Sequence, residues 1–315
     1  MNAHTLNRLR RRDDRVLLHG HRGARGAFPE NTMPGFDYLA SIGIQAVEFD
    51  VLCAAGGVPV LTHNPYLLAD TTRDGKGDWL DGQGPKLIET PWAALREYDV
   101  GAIRTGSAYH ARFPEQARLS GVQIPSLERF CAWAQARPAM FLDIEIKSFA
   151  NAPDLTPPPG ELLAAVLDPV HRYGLADRVL VQSFDWRVLS ACKAQAPDIL
   201  RGYLARLDRP GADTEATVYP GSPWLDGLEA AARDGGMPDA LAQVGAHVWC
   251  PHVTDLAQAD LERAQALGLA VHVWTVNDAD EIARVARMGV DGIITDLPAR
   301  AQNVLAGMGL GWRFE

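Results

Sequence analysis

Two apolar runs in this chain of 315 residues carry carboxylates at alternate positions. In "AVEFDVL" (46–52), Glu48 and Asp50 alternate with Val47, Phe49 and Val51, so on a strand the two acids share one face. "FLDIEIKS" (141–148) repeats the pattern with Asp143, Glu145 and Lys147. "VLLHGH" places His19 and His21 on one face, and "VPVLTH" ends in His63. Two residues beyond the apolar run Val16–Leu18 comes "HRGARGAFPENT", which spends two arginines and two glycines, Gly23 and Gly26, in one turn. Like charges buried side by side cost several kcal/mol unless something positive lies between them, either a metal ion or a cluster of Arg and Lys. Three carboxylates suit a hard divalent cation, Mg²⁺ or Ca²⁺, with water and substrate completing the shell; a cysteine- or histidine-rich zinc site is not indicated. Such a cation, with Arg22 and Lys147, would hold a phosphate, and two imidazoles that titrate near neutrality would supply a base and an acid. The chemistry this describes is metal-assisted phosphoryl transfer. Asp143 faces the same way as Glu145 but a layer deeper, as a partner within the core, and His19 reads as a buried structural imidazole. His110, His171 and His247 read as hydrogen-bonded structural groups, and His252, in "CPHVTD", lies where a rim residue could meet substrate.

The elements that must position these groups alternate. Strand patterns fall at Val16–His21, Gln45–Leu52, Val58–His63, Met140–Ile146, Arg178–Phe184, Leu200–Leu204, Ala246–Cys250, Ala270–Val276 and Asp291–Thr295. Helical patterns lie between several of them, at Met33–Ser41, Ser126–Gln135, Glu161–Tyr173, Trp186–Gln195, Ala257–Leu267 and Ala279–Met288. Alternation of this kind implies parallel strands joined by crossovers, and a (β/α) barrel builds its site at the C-terminal strand ends. Nine candidates exceed the eight strands of such a barrel, and the weakest are Leu200–Leu204 and Ala246–Cys250. Two stretches break the rhythm, Asn64–Gln123 and Arg206–Gly245; both follow strand ends and would cover the same rim. The net charge of −9 argues against a nucleic-acid binder, which needs a basic face. Cys53, Cys131, Cys192 and Cys250 are scattered without a C-x-x-C pair and are expected as reduced, buried thiols. No stretch reaches membrane-spanning length, and the N-terminus lacks the apolar region of a secretory leader, so a cytoplasmic location is expected, or a periplasmic one if a leader has been removed.

In order along the chain, "HRGARGAFPENTMPGF", "VEFDV", "PVLTHNP", "IEIK", "VQSFD", "VWTVN" and "GVDGIITDLP" resemble the landmarks of the glycerophosphodiester phosphodiesterases, a family similar in fold and site to phosphatidylinositol-specific phospholipase C. The resemblance implies one (β/α)8 TIM-barrel domain over 1–315, with its core at about 16–300 and an irregular insertion, 64–123, after the third strand. It implies His21 and His63 as the acid/base pair and Glu48, Asp50 and Glu145 as ligands of one Mg²⁺ or Ca²⁺. Arg22 would hold the phosphate, Lys147 would sit beside metal and phosphate, Trp274 would wall the glycerol part, and Gln182 would line the site. Glu30 and Asn31 would brace the loop, with Asn31 equally readable as the N-cap of the Met33 helix. The chain departs from the family in having Asn64 after His63 where an Asp is common, and Thr72 and Arg73 would stand in for the usual Arg-Thr pair. The implied reaction is metal-dependent hydrolysis of a small-molecule glycerophosphodiester to sn-glycerol 3-phosphate and an alcohol. The rivals are a lysophospholipase D-like diesterase acting on acylated lipids and a metal-binding barrel without turnover. No nucleic acid or membrane span is implied.

Overall fold

The computed structural model describes residues 3–12, 14–209, 214–233 and 235–312. Its strands are β1 (Leu17–Gly20), β2 (Ala46–Ala54), β3 (Val58–Leu61), β4 (Phe141–Ile146), β5 (Val179–Ser183), β6 (Leu200–Ala205), β7 (Val248–Pro251), β8 (Ala270–Val273) and β9 (Gly292–Thr295). Neighbours run β1-β9-β8-β7-β6-β5-β4-β2, and β2 pairs back onto β1, so eight parallel strands close a barrel. Parallel neighbours need long crossovers, and outer helices supply them, among them Met33–Ser41, Leu127–Gln135, Pro159–Arg172, Trp186–Gln195 and Ala279–Met288. Their ends follow local chemistry. Ser126 and Asp278 cap the second and the last of these, each accepting backbone N–H bonds, and Gly289 closes the last in the left-handed conformation. The architecture is the expected (β/α)8 barrel.

The expected strand count is corrected in two places. Both of the weakest candidates are barrel strands, β6 and β7. The supernumerary strand is β3, which runs antiparallel to β2 with Ala54 opposite Val58 and Val51 opposite Leu61. Only Ala55, Gly56 and Gly57 separate the two strands, far too few for a crossover, and both glycines adopt positive φ, 77° and 76°. The excursion 64–123 follows the third strand of the chain, as expected, but that strand is the outer arm of a hairpin, so the excursion lies between the second and third barrel strands. The second excursion is less irregular than its sequence, since it ends in a helix, Met237–Val244.

The barrel separates two cores. Outward-facing Val47, Phe49, Val51, Leu142, Ile144, Val181 and Ile293 pack under the helices. Inward-facing Leu17, Ala46, Phe141, Leu180, Leu200 and Ala270 fill the start of the strands together with Leu9 from the N-terminal segment. Above them lies a buried polar layer. His19 Nδ1 is 3.3 Å from Asp143 Oδ2 and the His19 and His272 rings are 4.9 Å apart, so both residues are the interior partners expected. One step further up, register aligns Glu48 with Asp143, Asp50 with Glu145, and Glu145 with Gln182. All four cysteines are free and buried, as expected. No helix among the described residues is long and apolar enough to cross a membrane.

Candidate active site

The site begins where β1 ends. A Cβ on Gly20 would sit 2.0 Å from the Gly23 carbonyl and 2.3 Å from Leu39 Cδ1, so only glycine lets the chain turn this tightly. The turn leaves Arg22 at φ 51°, and its backbone N–H donates to Glu48 Oε2 at 3.0 Å. His21 is held from below by the end of β9: Nδ1 lies 2.6 Å from Asp296 Oδ1, while Nε2 is 3.7 Å from Glu48 Oε2. Asp296 also accepts from Arg25 at 2.8 and 2.9 Å and from Asn277 Nδ2 at 2.7 Å. Burial pushes the His21 imidazole down to about 4; Asp296 opposes that shift, and Arg25 and Arg22 add to it. Asp296 itself is kept well below the usual carboxylate range, because Arg25 and His21 outweigh its burial.

β2 and β4 bring the three acids together. Glu48, Asp50 and Glu145 are buried, and each offers an oxygen within 4.8 Å of the others. Arg22 Nε stands 3.2 Å from Asp50, and Lys147 Nζ stands 2.6 Å from Glu145 and 3.8 Å from Asp50. Burial works against ionised Asp50, but Arg22, His63 and Lys147 overcome it and hold the acid low. Glu48 fares differently: burial, then Asp50 and Glu145, push its carboxyl well up. Burial also raises Glu145, to about 7, against the pull of Lys147. Two cations thus offset part of the charge of three acids. Glu48 Oε1 and Asp50 Oδ1 have no hydrogen-bond partner among the described residues. Orphaned buried oxygens on converging carboxylates are the donor set a hard dication takes, so the residues fit such an ion.

His63, half-buried at the end of the hairpin, completes the rim, with Nδ1 3.2 Å from Asn64 Oδ1. Burial first, then Arg22 and Lys147, lower its imidazole well below the ordinary value. A cavity of about 490 Å³ opens over these groups, lined by His21, Arg22, Glu48, His63, Glu145, Lys147, Gln182 and Trp274. Asp50 lies just beneath, fully buried. All nine residues singled out in the sequence therefore converge. Gln182 is buried with Oε1 unpartnered among the described residues, and Trp274 stands edge-on to Phe184 and His252, at 5.2 and 4.9 Å. Both excursions reach the same rim, as expected, through Leu68, Tyr109 and Arg112 on one side and Thr214, Thr217 and Trp224 on the other.

Two local expectations change. Asn31 is not a helix N-cap, since that position is Thr32; at φ 56°, Asn31 instead grips Asp50, donating Nδ2 to Oδ2 at 2.8 Å and accepting the Asp50 N–H at 3.1 Å. Arg73 bonds Asp99 and the Leu119 carbonyl inside the first excursion, and neither it nor Thr72 lines the cavity. Sequence reading also passed over Asp296, Arg25 and Tyr109. For Asp296 a signal existed, because in "GIITD" it continues the inward parity of Gly292 and Ile294.

Acids, imidazoles and guanidinium groups gathered at the C-terminal ends of a (β/α)8 barrel define a barrel hydrolase of phosphodiesters. The model of the glycerophosphoryl diester phosphodiesterase family matches residues 21–300, and the chain belongs to that family. A crystal structure from Silicibacter pomeroyi DSS-3 that carries the glycerophosphoryl diester phosphodiesterase designation is 39% identical, with a TM-score of 0.85 over 98% of this chain and 99% of that one. A glycerophosphodiester phosphodiesterase of Bacillus altitudinis is 24% identical over 288 residues, covering 91% of this chain and 97% of its own length. A phosphodiesterase of Oleispira antarctica, solved with its product sn-glycerol-3-phosphate, shares the fold at 23% identity and a TM-score of 0.67, covering 92% of this chain and 96% of that one.

Proposed function

We propose that this chain, as one barrel domain with 64–123 inserted, hydrolyses glycerophosphodiesters to sn-glycerol 3-phosphate and an alcohol such as choline, ethanolamine or glycerol. In this reading Glu48, Asp50 and Glu145 hold one divalent cation, Mg²⁺ or Ca²⁺. The observation that carries it is the convergence of three buried carboxylates, with oxygens within 4.8 Å of one another, beneath a cavity that also holds two imidazoles. When bound, the cation supplies positive charge to the phosphoryl oxygens. Arg22 adds to that charge from the side: its hydrogen bonds to Glu30 leave from Nη1, at 3.1 and 3.2 Å, and none among the described residues uses Nη2. Lys147 approaches from the end of β4 and shields Glu145. Asp296 fixes the Nδ1 side of His21, which turns Nε2 toward the cavity and stabilises the imidazolium whenever it forms. One imidazole takes the proton of the nucleophile and the other delivers one to the departing alkoxide. Trp274 and Phe184 form the apolar wall against which the glycerol part packs. The related structure solved with sn-glycerol-3-phosphate supports this choice of product.

The test is a coupled glycerol 3-phosphate assay over a panel of diesters, with and without chelator. The proposal expects turnover of at least one diester and its loss in chelator; turnover of none, with metal supplied, would overturn it. Leu68, Phe149, Phe184 and Trp224 on the cavity wall favour a second reading, in which the diester carries an acyl chain. Comparing glycerophosphocholine with its acylated analogue separates the two.

A further inference from the structure

The first excursion is bound to the loop that carries Arg22 by contacts along its whole docking segment. Tyr109, on the short helix Ala108–Arg112, donates its hydroxyl to Glu30 Oε2. Glu30 is the acid on which Arg22 Nη1 rests, and Arg25 Nη1 lies 3.7 Å from it. Further along, Phe113 lies beneath the Arg25 guanidinium at 4.7 Å, Gln116 Nε2 donates to the Arg25 carbonyl at 2.7 Å, and the Ala117 N–H donates to the Ala27 carbonyl at 2.8 Å. Arg22 is therefore held between two acids: Nη1 donates to Glu30, and Nε lies 3.2 Å from Asp50 Oδ2 as an ion pair without a hydrogen bond. A guanidinium held this way presents its remaining edge in one orientation, and a planar fork gains most from such preorganisation when its partner is a phosphate.

We infer that Tyr109 is a positioning residue for phosphate binding: its hydroxyl fixes Glu30, Glu30 fixes Arg22, and the excursion 64–123 thereby sets how tightly the site holds the phosphate. The inference rests on the reading of Arg22 as the phosphate-holding group. Tyr109 acts through Glu30 and not on the reacting atoms. Its removal should weaken ground-state and transition-state binding together, which raises KM and leaves kcat nearly unchanged.

The experiment is a kinetic cycle on the full chain with metal supplied, comparing wild type, Tyr109→Phe, Glu30→Gln and the double variant, with Arg22→Ala as control. Two diesters that differ in their alcohol are assayed, and glycerol 3-phosphate is used as competitive inhibitor. Tyr109→Phe is expected to raise KM and the inhibition constant by the same factor, about 5- to 10-fold for both diesters, with kcat within about twofold, the size of one ordinary net hydrogen bond felt through Glu30. The double variant is expected to match Glu30→Gln, because residues in one chain of contacts are not additive. Unchanged KM and inhibition constants in Tyr109→Phe would overturn the inference. So would an undiminished effect in the Glu30→Gln background, or an effect that depends on the alcohol, which would make Tyr109 a direct contact. If Arg22→Ala leaves the inhibition constant unchanged, the phosphate reading of Arg22 fails and takes the inference with it. If Arg22→Ala weakens inhibition and Tyr109→Phe does not, the inference alone fails. Glu30→Gln, which keeps the shape of its side chain, gives a second reading of the same link should Tyr109→Phe fold poorly.

Discussion

His21 owes its orientation to a residue 275 positions away, Asp296, whose carboxylate it meets at 2.6 Å. With Asp296 replaced by Asn the side chain keeps its shape, but the Nδ1 partner becomes ambiguous and an imidazolium at His21 loses its counter-charge. Asp296→Asn is expected to lower kcat by on the order of 10²-fold or more, comparable with deleting a general acid or base. It should also lower Tm, since Arg25 stays buried without its main partner. Steady-state kinetics and a melting curve on one preparation check both. The carboxylates make a second prediction at this scale. Glu145 is raised to about 7 and Glu48 is raised as well, so below neutrality protons occupy oxygens that an ion needs. Metal affinity should therefore climb as pH rises through about 7, with protons released on binding. Calorimetric titration of metal in two buffers of different ionisation enthalpy reads that release; identical heats in both would count against it.

Elements decide whether those side chains can meet. Gly20 is the most constrained joint, because any Cβ collides with the Gly23 carbonyl and Leu39. Gly20→Ala is expected to cost about 3 kcal/mol, the upper end of overpacking costs, and to lower activity by displacing His21 and Arg22. Gly57, with open space around it, should tolerate alanine at about 1–2 kcal/mol, the cost of positive φ alone. Urea unfolding of the two variants compares these costs directly. The site was largely legible in sequence because period-two alternation is enough to turn Glu48, Asp50 and Glu145 inward. The same alternation reads alike in parallel and antiparallel strands, which is why β3 passed for a barrel strand although the three-residue Ala55–Gly57 link signalled a hairpin. β6 was weak for another reason. Outward-facing Arg201 spoils the apolar pattern, and only the fold reveals that its Nη1 and Nη2 donate to the carbonyls of Ile199 and Gly245. Tyr109 left no trace at all, since a long irregular segment carries no periodicity to say where it docks.

At the scale of the whole molecule, the barrel buries ionisable groups that titrate from both sides of neutrality. Burial lowers His19 to about 3 and His272 to about 4 from an ordinary 6.5. The unfolded chain therefore takes up these protons first, and stability that is fully present above 6.5 is lost as pH falls toward 3–4. Asp143, raised by burial to about 8, and Glu145, raised to about 7, act in the opposite sense. Their contributions are present at low pH, below their unfolded values, and are lost as pH rises through about 7 to 8. Without metal, the two pairs nearly offset each other between about 4.5 and 6.5, and Tm is expected to fall as pH rises from about 6.5 to 8. Added Mg²⁺ or Ca²⁺ should raise Tm more at pH 8 than at pH 6, because ionised Glu145 is then the form that binds. Scanning calorimetry across pH, with and without metal, checks the shape of the curve.

The central claim is that Glu48, Asp50 and Glu145 act as one metal-binding unit on which diester hydrolysis depends. The most direct measurement follows glycerol 3-phosphate release from chelator-treated wild type and Glu145→Gln as metal is added back stepwise. Wild type should be inactive in chelator and recover fully as one ion binds, while Glu145→Gln should need far more metal and recover little. Full turnover in chelator, or the same metal dependence in both proteins, would contradict the account.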